Sequence, residues 1–266
     1  MSALSCADSY NASMQYNPDF LAVRTVVPTS VLSRIADIET RYPLEKFLTD
    51  TRNFEEATVD FVYTSAKIEG NTYDRLDTDN LLRLGITAGG KKHSDAIMLV
   101  NLRAAFDWVM NRAFDSAPLT LDTVCELHKM LMRDLLPLYE QGIVRQTGVL
   151  IGATTYRPLA DAGRLRTEMG VLLDTTPMFA DPVERAIYLH CNAAYLQYFR
   201  DGNKRTARML QTLALVQAGR LPLFFVDTLI DRYQRATVTY YETGDFESYV
   251  TFYTENFALA IERFVG

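Results

Sequence analysis

Two strongly apolar helices joined by a short polar turn set the main limit on this fold. Pro182 to Tyr198 is rich in Ala, Leu, Ile and Tyr and reads as a buried helix, and a second apolar helix runs from Lys204 to Ala218. Between them lies Phe199-Arg200-Asp201-Gly202-Asn203. A tight Gly-Asn turn feeding a helix leaves several backbone N–H groups without intrahelical partners. Those donors and the positive end of the helix dipole make an anion site. Arg205 and Arg208 stand three apart and share a face near the start of the second helix. Cations there oppose the dipole, a cost that a multiply charged anion offsets, and guanidinium forks match phosphate oxygens. Asp201 adds a carboxylate oxygen suited to Mg²⁺ bridging phosphates. The loop Asp201 to Arg208 is therefore expected to hold a nucleoside triphosphate. The alternative is a surface turn whose arginines pair with acidic neighbours.

Most of the remaining chain also reads as helix. The spacing predicts helices over Val31 to Phe47, entered through Thr29 or Ser30 as cap, and over Phe54 to Ile68, stopped at Gly70 or Asn71. Further helices are expected at Asp77 to Leu84, Ser94 to Phe114, Leu121 to Leu136, Arg164 to Leu173, Thr228 to Tyr241 and Phe246 to Phe264. One stretch differs: Val149-Leu150-Ile151 and Thr154-Thr155-Tyr156 flank Gly152-Ala153, which suggests a small hairpin closed by Pro158. The reading is an all-α helical bundle with one surface β-hairpin. An N-terminal segment and helix, 1–53, would pack on a core unit, 54–266.

Composition narrows the partners. The 33 acidic and 27 basic residues leave a net charge of −6, which argues against a general nucleic-acid binder. Three cysteines, Cys6, Cys125 and Cys191, form no CxxC, so they give neither a disulfide framework nor a zinc spacing and fit a reducing compartment. Cys125 and Cys191 lie in apolar helical patterns and read as buried thiols. Met1 to Asp19 has no basic or apolar leader region, and no window approaches the roughly 20 apolar residues of a membrane helix. A cytoplasmic protein without a membrane partner is expected.

The string Phe199 to Arg208 resembles the signature of the Fic (Fido) family, His-Pro-Phe-x-(Asp/Glu)-Gly-Asn-(Gly/Lys)-Arg-x-x-Arg. Upstream, Ser65-Ala66-Lys67-Ile68-Glu69-Gly70 is similar to that family's inhibitory motif, and the hairpin at Thr154-Thr155-Tyr156 resembles its flap. The resemblance implies a helical fold and transfer of AMP from ATP to a Ser, Thr or Tyr hydroxyl of a target protein. By that resemblance Gly202, Asn203 and Lys204 line the phosphate pocket, Arg205 contacts the phosphates nearer the α position, and Arg208 holds the γ-phosphate. Asp201 holds Mg²⁺, Phe199 stands in the catalytic motif, and Thr154, Thr155 and Tyr156 dock the target as an added strand. Ser65, Glu69 and Gly70 form the inhibitory element, with the Glu69 carboxylate neutralising Arg208. Dimerisation is an expectation from the family alone.

The chain departs from the signature where it matters most for chemistry. Gln197 stands at the position of the family's His, and Tyr198 at that of its Pro. An amide oxygen is far too weakly basic to take a proton from a hydroxyl near neutral pH. Loss of a general base typically lowers a rate by on the order of 10²–10⁴-fold. His190 is two helical turns upstream, roughly 10 Å away, and reads as structural; Tyr198 and His93 offer no better base, and His128 sits where such helices often carry histidine. Two readings stay open: an adenylyltransferase restrained by Glu69, or a nucleotide-binding pseudoenzyme. A DNA-binding regulator finds no basic recognition helix in support.

Overall fold

The structure, a computed structural model, describes residues 14–265, so Cys6 and the first part of the N-terminal segment lie outside the described residues. The chain is all-α. Among the described residues the helices are α1 (Thr29–Glu39), α2 (Leu44–Thr49), α3 (Thr51–Ile68), α4 (Arg75–Leu84), α5 (His93–Met110), α6 (Leu121–Met132), α7 (Ala162–Thr175), α8 (Pro182–Leu196), α9 (Asn203–Gln217), α10 (Ile230–Thr243) and α11 (Glu247–Val265).

The two apolar helices of the sequence are the centre. Every residue of α8 from Ala186 to Leu196 is buried, as is every residue of α9 from Arg205 to Val216. A helix apolar on all sides is stable only when neighbours cover all sides. Here α8 and α9 pack on each other, α5 and α6 lie against α9, and α7 and α10 lie against α8. α3 packs on α5, and α11 lies across α1 and α10.

Local capping explains where several helices start. Asp50, Thr120 and Asp161 accept N–H groups from the first turns of α3, α6 and α7, and Asp181 accepts two from α8, which has Pro182 at its first position. α9 has no side-chain cap: its N-cap is Gly202, held at φ +74°. Its leading amides thus remain available to an external acceptor.

Several expected boundaries differ, each for a physical reason. Val31 to Phe47 is two helices, because Pro43 cannot continue the first, and Pro28 rather than Thr29 or Ser30 occupies the cap position of α1. The helix expected to reach Leu136 ends at Met132, where the Asn101 amide takes the carbonyls of Leu131 and Arg133 at 3.3 and 2.7 Å. The helix expected to reach Phe114 ends at Met110. The hairpin is a turn without a ladder: Gly152-Ala153 turns, with Ala153 at φ +64°, but residues 148–156 form no strand. The backbone there finds partners elsewhere. Arg157 N–H donates to the Met14 carbonyl at 2.7 Å and forms a parallel bridge with Gln15, and the Tyr156 phenol donates to the Tyr195 carbonyl at 3.0 Å.

Cys125 and Cys191 are free thiols, half-buried and buried, and burial pushes both up in pKa. No helix among the described residues is long and apolar enough to cross a membrane.

Candidate functional site

The turn between α8 and α9 is closed by side chains of its own loop. Asn203 accepts the Phe199 N–H at 2.8 Å, donates to the Phe199 carbonyl at 2.8 Å, and donates to Gln197 Oε1 at 3.2 Å. Its side chain therefore shapes the loop. Gln197 ends α8 in the left-handed region at φ 49° and ψ 52°, unusual for a residue with a side chain. Its amide donates to the Ala194 carbonyl at 2.7 Å, so both ends of the group are engaged internally.

His128, which carried no assigned role in the sequence, supports the loop from beneath. Its ring stacks on Phe199 with centroids 3.7 Å apart and planes 8° from parallel. The Gly142 N–H donates to Nδ1 at 2.8 Å, which places the proton on Nε2, and Nε2 donates to the Asp201 carbonyl at 2.9 Å. Burial, against the opposing Asp201 carbonyl, pulls this imidazole down to about 4. Gly202 must be glycine here: a Cβ would lie 2.5 Å from Met132 Sδ, at a positive φ besides. Phe199 is itself buried, an anchor between His128 and Tyr198.

Two arginines in the first turns of α9 are buried. Arg208 is 1% exposed, and its Nη2 donates to Glu69 Oε1 at 2.9 Å and to the Ser65 carbonyl at 3.1 Å. Its Nη1 donates to the Tyr233 phenol at 3.3 Å. Arg205 is also buried and reaches Asp201 Oδ2 at 3.3 Å. Arg205 Nε and Nη1 and Arg208 Nε have no acceptor, as does the Ser65 hydroxyl. Buried guanidinium donors without partners are costly, and they mark where an anion's oxygens would be satisfied. Burial raises the pKa of the Glu69 carboxyl, but Arg208, Lys204 and Arg205 together outweigh it and hold the group below the usual range. Gly70, at φ +82°, turns the chain immediately after Glu69.

The remaining expected residues are scattered in role. Asp201 is exposed, with Oδ1 taking the Gly202 N–H at 2.6 Å. Among the described residues no group of three or more His, Cys, Asp or Glu could hold a metal alone. One accessible carboxylate fits Mg²⁺ only when phosphates and water complete the shell. In the flap segment, Thr155 is exposed, Thr154 donates to Glu242 at 2.7 Å, and Tyr156 is buried against Tyr195. Tyr156 therefore anchors the segment and offers no side chain to a target. His190 is buried, stacked on Tyr249, and pushed down to about 3 by burial and then by the Arg208 charge. Tyr233, which bridges Arg208 and His190, had no motif around it to reveal it.

An α-helical core with a glycine-turned loop and two buried arginines at a helix start is the class that fold and site define. Residues 118–215, which span α6, the flap segment, α7, α8 and most of α9, match the Fic/DOC family model. It is similar to protein adenylyltransferase fic-1 of Caenorhabditis elegans, 27% identical over 77% of this chain and 41% of that protein. It is also similar to protein adenylyltransferase Fic of Nematostella vectensis, 30% identical over 65% of this chain and 40% of that protein. The chain thus spans about two fifths of the length of these relatives. A Fic family protein from Desulfovibrio desulfuricans has the same fold, with a TM-score of 0.76 at 22% identity over 91% of this chain and 75% of that one.

Proposed function

We propose that this chain is a nucleotide-binding protein that transfers AMP from ATP to a protein hydroxyl, is restrained by Glu69, and works slowly because Gln197 is no base. The observation that carries the reading is a pair of buried arginines at the start of α9: Arg208 meets Glu69 at 2.9 Å, and three guanidinium N–H groups of Arg205 and Arg208 lack acceptors. A triphosphate supplies more charge and more oxygens than Glu69 does. In this reading Arg208 takes the γ-phosphate once Glu69 turns away, and Arg205 the phosphates nearer the α position. The names of the relatives, protein adenylyltransferases, support the same activity. Mg²⁺, when bound, would be held by Asp201 with phosphates and water and would offset phosphate charge.

In transfer, the target hydroxyl oxygen bonds to the α-phosphorus, pyrophosphate leaves, and the hydroxyl proton passes to water. Gln197 cannot take that proton, because its oxygen is weakly basic and already accepts from Asn203. Positioning and electrostatic stabilisation remain in place. The same pinned amide favours a second reading, a binding module that transfers nothing. An extended target segment and a dimer belong to the proposal on family grounds, and a cytoplasmic location on the three sparse cysteines, which fit a reducing compartment.

Wild type, Glu69→Gly and Glu69→Gly/Gln197→His, incubated with α-labelled ATP and Mg²⁺, separate these readings. Label on the single variant supports a working enzyme, and label on the double variant alone indicates a dormant one. No label on any, with no ATP binding by calorimetry, would sink the nucleotide reading.

A further inference from the structure

Arg145 is 3% exposed and lies between two parts of the site that no helix connects. Its backbone N–H donates to the Tyr198 carbonyl at 3.1 Å, and its Nε to the Gln197 carbonyl at 2.6 Å. Nη1 donates to the Thr147 carbonyl at 2.7 Å, and Nη2 to the Leu159 carbonyl. Two bonds therefore hold the turn after α8, and two hold the opposite ends of the segment 147–159 that contains the flap.

The chemistry of these partners is unusual for a buried guanidinium, which ordinarily keeps its charge inside a protein by meeting a carboxylate. Here the side-chain bonds go to carbonyl dipoles. The Gln197 carbonyl is available because the left-handed turn at Gln197 stops α8, and the last carbonyls of a helix lack intrahelical partners. A cation at that end also suits the helix dipole. The planar fork serves three side-chain directions at once, which a lysine ammonium on a flexible stem does less well.

We propose that Arg145 is a positioning residue that fixes the register of the flap segment against the signature turn, so that a target docked on the one faces the nucleotide held by the other. The inference rests on the transfer reading for its consequence, but the coupling of the two segments is measurable without it. Arg145→Lys and Arg145→Met, made in the wild type and in Glu69→Gly/Gln197→His, test it through three readouts: amide hydrogen exchange, ATP affinity by calorimetry, and self-labelling rate. Exchange is expected to rise together in 145–160 and 197–203, more for Met than for Lys, with the rest of the chain unchanged. ATP affinity is expected to hold while labelling falls by on the order of 10²-fold for Met, as for other misplacements of about 1 Å, and recovers in part for Lys. Unchanged exchange in either segment overturns the proposal. So does protection lost throughout the chain, or a labelling loss matched by lost ATP affinity. If the Met variant does not fold, Lys carries the same test. If the unsubstituted parent fails to label, the transfer reading fails, and the exchange pattern still decides the coupling.

Discussion

Arg208 Nη2 and Glu69 Oε1 stand 2.9 Å apart, with their side chains 1% and 13% exposed. The same nitrogen donates to the Ser65 carbonyl, so the end of α3 is clamped to α9 by both a side chain and a backbone group. Desolvation opposes such a pair, and its net worth against apolar packing is small. Breaking it from one side is another matter, because the remaining charge stays buried. Buried Arg208 is therefore stable only beside an anion, which is Glu69 here and would be a phosphate in the proposed complex.

Glu69→Gly should accordingly destabilise the nucleotide-free protein by about 3–5 kcal/mol, the range seen when one partner of a buried pair is removed. ATP should then raise the Tm of the variant by more than it raises that of wild type, since a ligand at free concentration c stabilises by RT ln(1 + c/Kd) and the variant, free of Glu69, should bind it with the lower Kd. Thermal unfolding with and without ATP checks both parts. A variant as stable as wild type without nucleotide would show that the fold tolerates an unpaired Arg208.

Asn203→Ala removes a bond in each direction with Phe199 and a third to Gln197. With the loop groups left buried, the loss should be about 2–3 kcal/mol, read as a lower urea midpoint at unchanged slope. Asn203→Asp keeps the acceptor for the Phe199 N–H and loses both donors, so it should not restore wild-type stability. Were Asn203 free to face a phosphate, either substitution would alter ATP affinity and leave stability nearly untouched.

Much of this was legible in the residues themselves. α8 and α9 could be read because their apolar runs are continuous, and the loop between them because Gly202 and Asn203 suit a turn that starts a helix. Glu69 and Arg208 were paired by motif resemblance, and their geometry agrees. What stayed hidden depends on long-range partners. Periodicity could not foresee that Asn101 would take the last carbonyls of α6, or that Arg157 would pair with Met14 and Gln15 instead of across the expected hairpin. Arg145 and Tyr233 lie outside any signature and became visible only once the chain brought Gln197 and Arg208 to them.

The buried imidazoles should make the protein acid-sensitive well above the range of carboxylates. Burial holds His128 down to about 4 and His190 to about 3, against an ordinary value of 6.5. As pH falls below about 6.5, the unfolded chain takes up a proton on each ring while the folded chain does not. Stability from these groups is therefore fully present above that value and declines below it, by up to about 1.4 kcal/mol per pH unit for each histidine. By pH 5 the loss should reach about 2 kcal/mol per ring. Glu69, held below the usual carboxylate range, adds a loss of the same sign only at lower pH. Urea midpoints measured at pH 7, 6 and 5 at constant salt, with slopes unchanged, give the profile directly. His128→Gln should roughly halve its steepness, because one of the two rings that resist protonation in the fold is gone. A flat profile from pH 7 to 5 would mean that both imidazoles are protonated within the folded core, and the Gly142 to His128 bond, which needs Nδ1 as an acceptor, could not then stand.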